Sequence, residues 1–207
     1  MRIELWADLV CPYCRLGERR LEQAIARSPS PGAVEVTPHA FELDPSLPLG
    51  SEQTQLEMLT AKYGMTEAAV VTMQRRIEAT AAAEGLTLRL VGGRTGSTRL
   101  AHQLLAHARE RGRAAALRER LYRAQFEEQR SIFSADALLP LADEIGLDVD
   151  EAAAALSSGA HEEEVRRDQA RARQLGVTGV PFFLLDGARV IGGAQAPAVF
   201  DAALRSR

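Results

Sequence analysis

The sequence predicts an α/β fold: a small layer of sheet and helix, split in two by a large all-helical insertion. Three observations predict it. Residues 2–7 alternate apolar and polar side chains, as a half-buried strand does. Helical periodicity then dominates from about residue 50 to 175. Finally the chain reverts to strand at Phe182-Phe-Leu-Leu185, with Asp186-Gly187 as the hairpin turn and Arg189-Val-Ile-Gly192 as the return strand. Residues 1–48 and 165–207 are accordingly read as one discontinuous α/β domain, and 49–164 as an inserted helical domain.

Taken in order, the first strand runs into the loop Asp8-Leu-Val-Cys-Pro-Tyr-Cys14, and a helical pattern follows over 12–27. Pro12 falls in the first turn of that helix, where its missing N–H would have had no partner. Ser28-Pro-Ser-Pro-Gly32 breaks the helix, and Val34 to Leu43 has strand character. Within the insertion, helices are expected over Ser51–Tyr63, Thr66–Glu84, Thr98–Arg111, Arg113–Glu128 and Ser134–Ile145. Several of them are closed by a glycine. Asp148 and Glu151 form a capping-box pattern for a short helix ending near Gly159. The last inserted helix opens on Glu162-Glu-Glu164, acids that suit its dipole. A closing helix is expected from Gln195 to Leu204.

Composition narrows the function classes. The 207 residues are 46% hydrophobic and 26% charged, which is globular composition. The 25 basic and 28 acidic side chains leave a net charge of −3 without a clustered basic excess, so a nucleic-acid surface is not expected. Met1-Arg-Ile-Glu-Leu-Trp-Ala-Asp8 has acids where an export signal needs an apolar core, and no apolar run approaches a membrane span. A cytoplasmic location and no membrane partner are therefore the expectation.

The two cysteines, Cys11 and Cys14, carry the chemistry. A sulfur capping a helix faces unpaired backbone N–H groups and the positive end of the dipole, which favour its thiolate. Each unit of lowered pKa corresponds to about 1.4 kcal/mol. Cys14, three residues on, lies on the same face one turn deeper, placed to resolve a mixed disulfide formed at Cys11. Pro12 stiffens the turn and removes a donor. A structural zinc site would need four ligands, and His39, His102, His107 and His161 are too scattered to complete one. Two inert buried thiols are the remaining alternative.

The second feature is Gly176-Val-Thr-Gly-Val180-Pro181-Phe-Phe. A proline directly before a strand either starts it in the trans form or occupies a cis turn. A cis bond would present the backbone of Val180 as a free edge on which an extended substrate could add a strand. The dithiol far upstream favours the cis form, because each feature then explains the other.

Asp8-Leu-Val-Cys-Pro-Tyr-Cys-Arg-Leu-Gly-Glu-Arg-Arg-Leu-Glu22, Phe41-Glu-Leu-Asp-Pro45, Lys62-Tyr-Gly64, Thr98-Arg-Leu-Ala-His102, Gly179-Val-Pro-Phe-Phe183 and Ile191-Gly-Gly-Ala-Gln195 occur in that order. Together they resemble the DsbA-like thioredoxin-fold oxidoreductases of the FrnE type, cytoplasmic relatives with a helical insertion. The resemblance implies a thioredoxin fold and thiol–disulfide oxidoreductase or disulfide isomerase activity. It makes Cys11 the nucleophile, Cys14 the resolver and Pro181 the cis-proline. The same superfamily includes 2-hydroxychromene-2-carboxylate isomerases and kappa-class glutathione transferases, which typically have serine where Cys11 stands. A glutathione-dependent isomerase or transferase acting on an aromatic or polyketide-like molecule is thus the alternative, and a redox sensor that binds a partner is a third reading. Retention of both cysteines favours redox chemistry.

The chain departs from the pattern in having Tyr13 where FrnE-type chains have Trp, and Ser97 where Asn is common. No C-terminal cysteines exist, so a relay to a second internal dithiol is excluded. The expected partners are a disulfide-containing protein or small molecule and a redox partner that recycles the dithiol. No tightly bound cofactor is expected, with glutathione as a candidate co-substrate, and a homodimer is compatible with the sequence. Pro12, Tyr13 and Val180 are the expected substrate contacts. Trp6 reads as core, Asp8 as a loop or cap acid, and His102 as a satisfied interior histidine. Gly92-Gly-Arg-Thr-Gly-Ser-Thr98 lacks the Gly-Lys-Ser/Thr of a phosphate loop and reads as the start of a helix.

Overall fold

The computed structural model describes residues 1–205. Its contacts divide the chain into two compact units, residues 1–43 together with the segment from Arg166 onward, and Asp44–Val165.

The first unit opens with β1 (Arg2–Ala7), α1 (Pro12–Arg27), a 3₁₀ turn at Pro31–Ala33 and β2 (Glu35–Ala40). The second unit then contributes β3 (Glu52–Thr54), α2 (Gln55–Tyr63), α3 (Glu67–Ala83), β4 (Arg94–Gly96), α4 (Arg99–Glu110), α5 (Ala114–Phe126), α6 (Ala135–Asp143) and α7 (Val149–Ser158). Helix α8 (Glu162–Gln174) leads the chain back into the first unit, which closes with β5 (Phe182–Leu185), β6 (Arg189–Gly192) and α9 (Pro197–Arg205). No helix among the described residues is long and apolar enough to cross a membrane.

The four strands of the first unit pair in the order β2-β1-β5-β6. β1 runs parallel to β2, with Ile3 opposite Val36, and antiparallel to β5, with Trp6 opposite Phe182. Being central, β1 is covered on both faces. Ile3, Leu5 and Ala7 join Cys14, Leu21 and Ala24 of α1, Phe183 and Leu185 of β5, and Phe200 and Leu204 of α9 in one apolar cluster. Trp6 points the other way, against Phe182, Leu184, Ala172 and Val177. Alternation along β1 and β5 thus feeds two cores from one sheet. Phe183 and Phe200 meet edge-to-face with centroids 5.1 Å apart, an arrangement worth roughly 0.5–1.5 kcal/mol beyond area burial. The β5–β6 turn has positive φ at both Asp186 (48°) and Gly187 (73°), as a primed turn needs, and Ala188 completes a three-residue loop between the paired Leu185 and Arg189.

The second unit departs from the expected all-helical insertion in one place. Residues 52–54, read as part of a helix over Ser51–Tyr63, instead pair antiparallel with residues 94–96. Helix α2 begins only at Gln55, after a complete capping box in which Thr54 and Glu57 satisfy each other's backbone N–H groups. The Gly92–Thr98 stretch accordingly supplies a strand before α4 starts. Gly96 permits it, since a Cβ there would run into the Ser51 carbonyl and the Phe133 ring. Among the other helices, α7 is capped by the Asp148 carboxylate on the Glu151 N–H (2.9 Å) and ends at Gly159 with φ of 66°. His107 of α4 and His161 are both buried, their rings edge-to-face at 5.8 Å.

Candidate active site

The site begins where β1 hands the chain to α1. Cys11 is the N-cap residue, in extended conformation, and donates its N–H to the Asp8 carbonyl at 3.2 Å. Pro12 occupies the first helical position, as the sequence predicts. The Cys11 carbonyl accepts from the N–H groups of Cys14 (3.0 Å) and Arg15 (3.3 Å), starting the helix. Cys14 sits one turn in, where its Sγ accepts the Asp8 backbone N–H at 3.4 Å. Both thiols are free. Cys11 retains 6% exposure and Cys14 none, whereas Tyr13 between them is 47% exposed.

The two thiols are driven in opposite directions. The Cys11 pKa is lowered, first by the hydrogen bond from the Cys14 thiol, then by the backbone N–H groups of Cys14 and Tyr13. Burial and the charge of Asp8 oppose this. Cys14 is pushed well up, chiefly by burial and further by its bond to Cys11, by Cys11's charge and by Glu18. The sequence alone points to the amides at the helix start as the first cause. The structure gives first place to the Cys14 thiol, and no amide makes a capping hydrogen bond of full geometry to the Cys11 sulfur. The Cys14 and Tyr13 amides contribute after that thiol.

The second feature arrives from far along the chain. The Val180–Pro181 bond is cis, and the Val180 carbonyl oxygen lies 3.8 Å from Cys11 Sγ, within reach of a long S–H···O contact. Cys11, Cys14 and Val180 therefore share one cluster, with Pro12 at the helix start and Pro181 against the same helix. Two α1 residues to which the sequence reading gave no role, Gly17 and Arg20, meet the segment around Pro181. The signals were present: a glycine inside a helix costs about 1 kcal/mol relative to alanine, and an arginine stood among the buried positions of the helix.

Trp6 is fully buried, stacked on His39 at 4.5 Å and donating its indole N–H to the Asp168 carbonyl at 3.1 Å. His39 Nδ1 is 2.7 Å from an Asp168 carboxylate oxygen. The Asp8 carboxylate accepts the Leu43 N–H at 2.8 Å, tying the end of the β2 segment to the dithiol loop. Ser97 and His102 are buried in the second unit. Among the described residues no group of three His, Cys, Asp or Glu side chains could hold a metal ion.

A thioredoxin-type sheet, a dithiol at a helix N-terminus and a cis-proline segment beside it define the class of thiol–disulfide oxidoreductases. Within that class the chain belongs to the DsbA-like thioredoxin domain family, which matches residues 2–205. It is 45% identical to a probable DsbA oxidoreductase from Streptomyces coelicolor, whose crystal structure superposes with a TM-score of 0.95 over 99% of this chain and 88% of that one. It is 28% identical to YwbO of Bacillus subtilis over 99% of this chain and 96% of that protein. The cytosolic disulfide reductase DsbM from Pseudomonas aeruginosa, at 21% identity, shares the fold over 100% of this chain and 98% of its own, with a TM-score of 0.65.

Proposed function

We propose that the chain exchanges disulfides in the cytoplasm through a mixed disulfide at Cys11. The Cys11 thiolate attacks one sulfur of a substrate disulfide, forming a Cys11–substrate bond and expelling the other substrate sulfur as a thiolate that takes up a proton. Cys14, deprotonated as it attacks, then displaces the substrate from Cys11. The products are a Cys11–Cys14 disulfide and a substrate dithiol, two electrons having passed to the substrate. In the opposite direction the same steps oxidise a dithiol, and with Cys14 idle they shuffle disulfides. The electrons belong to the cysteines, so no bound cofactor takes part.

The observation that carries this reading is the depth difference along one helix turn, a nearly buried Cys11 at the mouth and a sealed Cys14 beneath it, with the Val180 carbonyl alongside. Pro12 and the exposed Tyr13 ring flank the incoming substrate, and the Val180 backbone aligns an extended segment. Disulfide-bearing proteins and small molecules, glutathione among the latter, are the proposed substrates. Incubating a Cys14→Ser variant with a disulfide-bonded peptide tests it. The expected result is a stable peptide adduct at position 11, absent in Cys11→Ser. A Cys14→Ser variant that turned over fully on a small aromatic substrate with glutathione would overturn the redox reading in favour of the isomerase one.

A further inference from the structure

The β6 strand ends in Gly192-Gly193-Ala194-Gln195, a tight turn that folds back on itself. Gln195 donates its N–H to the Gly193 carbonyl at 2.9 Å and its side-chain amide to the Gly192 carbonyl at 2.7 Å, with φ at Gly193 of +76°. The Gly193 N–H reaches across to the Pro181 carbonyl at 2.7 Å, so wherever this turn goes, Pro181 goes too. The buried Arg20 of α1 grips the turn from beneath, its Nη1 donating to the Ala194 (2.6 Å) and Gln195 (2.9 Å) carbonyls. One helical turn earlier the same face presents Gly17. A Cβ on Gly17 would lie 2.8 Å from Pro181 Cγ and 3.3 Å from Phe183 Cζ, so the proline ring rests directly on the helix backbone. The proline ring is rigid and can yield only by moving Val180 with it.

We propose that Gly17 and Arg20 are positioning residues, which together set the distance of the Val180–Pro181 segment from Cys11 Sγ. Gly17 fixes how closely the segment approaches α1, and Arg20 fixes its far side through the 193–195 turn. Both belong to the helix that Cys11 caps, so nucleophile and alignment edge are referenced to a single rigid body. This rests on the proposed function, in which Val180 aligns the substrate. Both act through the Val180–Pro181 segment.

The experiment uses the full chain with Gly17→Ala, Arg20→Met and Arg20→Lys, each confirmed folded by a cooperative melt. Two reactions are compared: exchange with a disulfide-bonded peptide, which needs alignment, and alkylation of Cys11 by iodoacetamide across pH, which does not. Misplacement of a fraction of an ångström is expected to raise KM for the peptide roughly tenfold in Gly17→Ala and Arg20→Met, with partial recovery in Arg20→Lys. The alkylation pH profile should stay within about twofold of the parent, a split that general loosening would not produce. Amide exchange at Gly193 should accelerate in Arg20→Met while exchange at the β1–β5 pairs holds. Peptide KM unchanged in both variants, or peptide and alkylation rates falling together, overturns the proposal; so does unchanged Gly193 exchange should Gly17→Ala not fold. A parent chain inert toward the peptide refutes the proposed function itself, and the Gly193 measurement then decides alone whether Arg20 holds the segment.

Discussion

Cys14 supplies the hydrogen bond that most strongly favours the Cys11 thiolate, and its own proton is retained because it is sealed from water. One helix turn therefore holds a good nucleophile beside a poor one. In the proposed exchange that asymmetry sets the order of attack: Cys11, with its lowered pKa, ionises first, and Cys14 acts only after the first bond has formed.

Replacing Cys14 with alanine should raise the Cys11 pKa, because its largest stabilising partner disappears while the amides remain. Absorbance of the reduced protein near the thiolate band, followed against pH, reports this directly. A titration that coincides with the parent's would shift the explanation back to the helix amides. In the parent the midpoint should fall below the free-cysteine value of about 8.5.

Asp8 acts on Cys11 in the opposite sense, its charge disfavouring a second anion nearby. Asp8→Asn keeps an oxygen for the Leu43 N–H while removing that charge. The expected outcome is a Cys11 pKa lower than the parent's and faster alkylation at mildly acidic pH, measured by mass spectrometry of timed aliquots.

His107 in the second unit makes acid sensitivity a stability question. Its pKa is lowered by burial, by Arg111 and by His161, against the weaker pull of Glu110 and Glu151. Below the ordinary histidine value of about 6.5 the unfolded chain takes up a proton that the folded chain resists, so stability falls with pH there. The fall levels off once the folded His107 is itself protonated. Urea midpoints at about pH 7.5 and 5.5 should differ in that direction, and His107→Gln should shrink the difference.

Phe183 joins α1, β5 and α9 beneath the dithiol. Truncation by Phe183→Ala should cost about 3–5 kcal/mol, read as a lower denaturant midpoint with little change in slope. Loss of less than about 1 kcal/mol would mean that Phe200 and the helices collapse into the space.

The sulfur-bearing corner and the returning hairpin were legible because their signals are local. Period-two alternation, a proline at the first helical position and Asp186-Gly187 each dictate backbone within a few residues. The short ribbon of residues 52–54 and 94–96 was not, since three-residue strands have no room for a period. Its one mark was Gly96, a glycine whose reason lies in Ser51 and Phe133. Gly17 and Arg20 carried local marks, a glycine within a helix and an arginine on its buried face, but their partners at Pro181 and the 193–195 turn lie far along the chain. The spacing of Cys11 and Cys14 put the sulfurs on one face, but which group would donate to Cys11 depends on side-chain rotamers that spacing does not encode.

The strand order β2-β1-β5-β6 has a consequence for biosynthesis. Ribosomes deliver β1, α1 and β2 first, and Val180 emerges only after the whole intervening unit has been translated. At roughly 5–20 residues per second that delay is on the order of ten seconds. Throughout it the nascent dithiol lacks both the Val180 carbonyl beside Cys11 and the pairing of β5 on β1, so the newborn chain carries two thiols before the edge that lies alongside them exists.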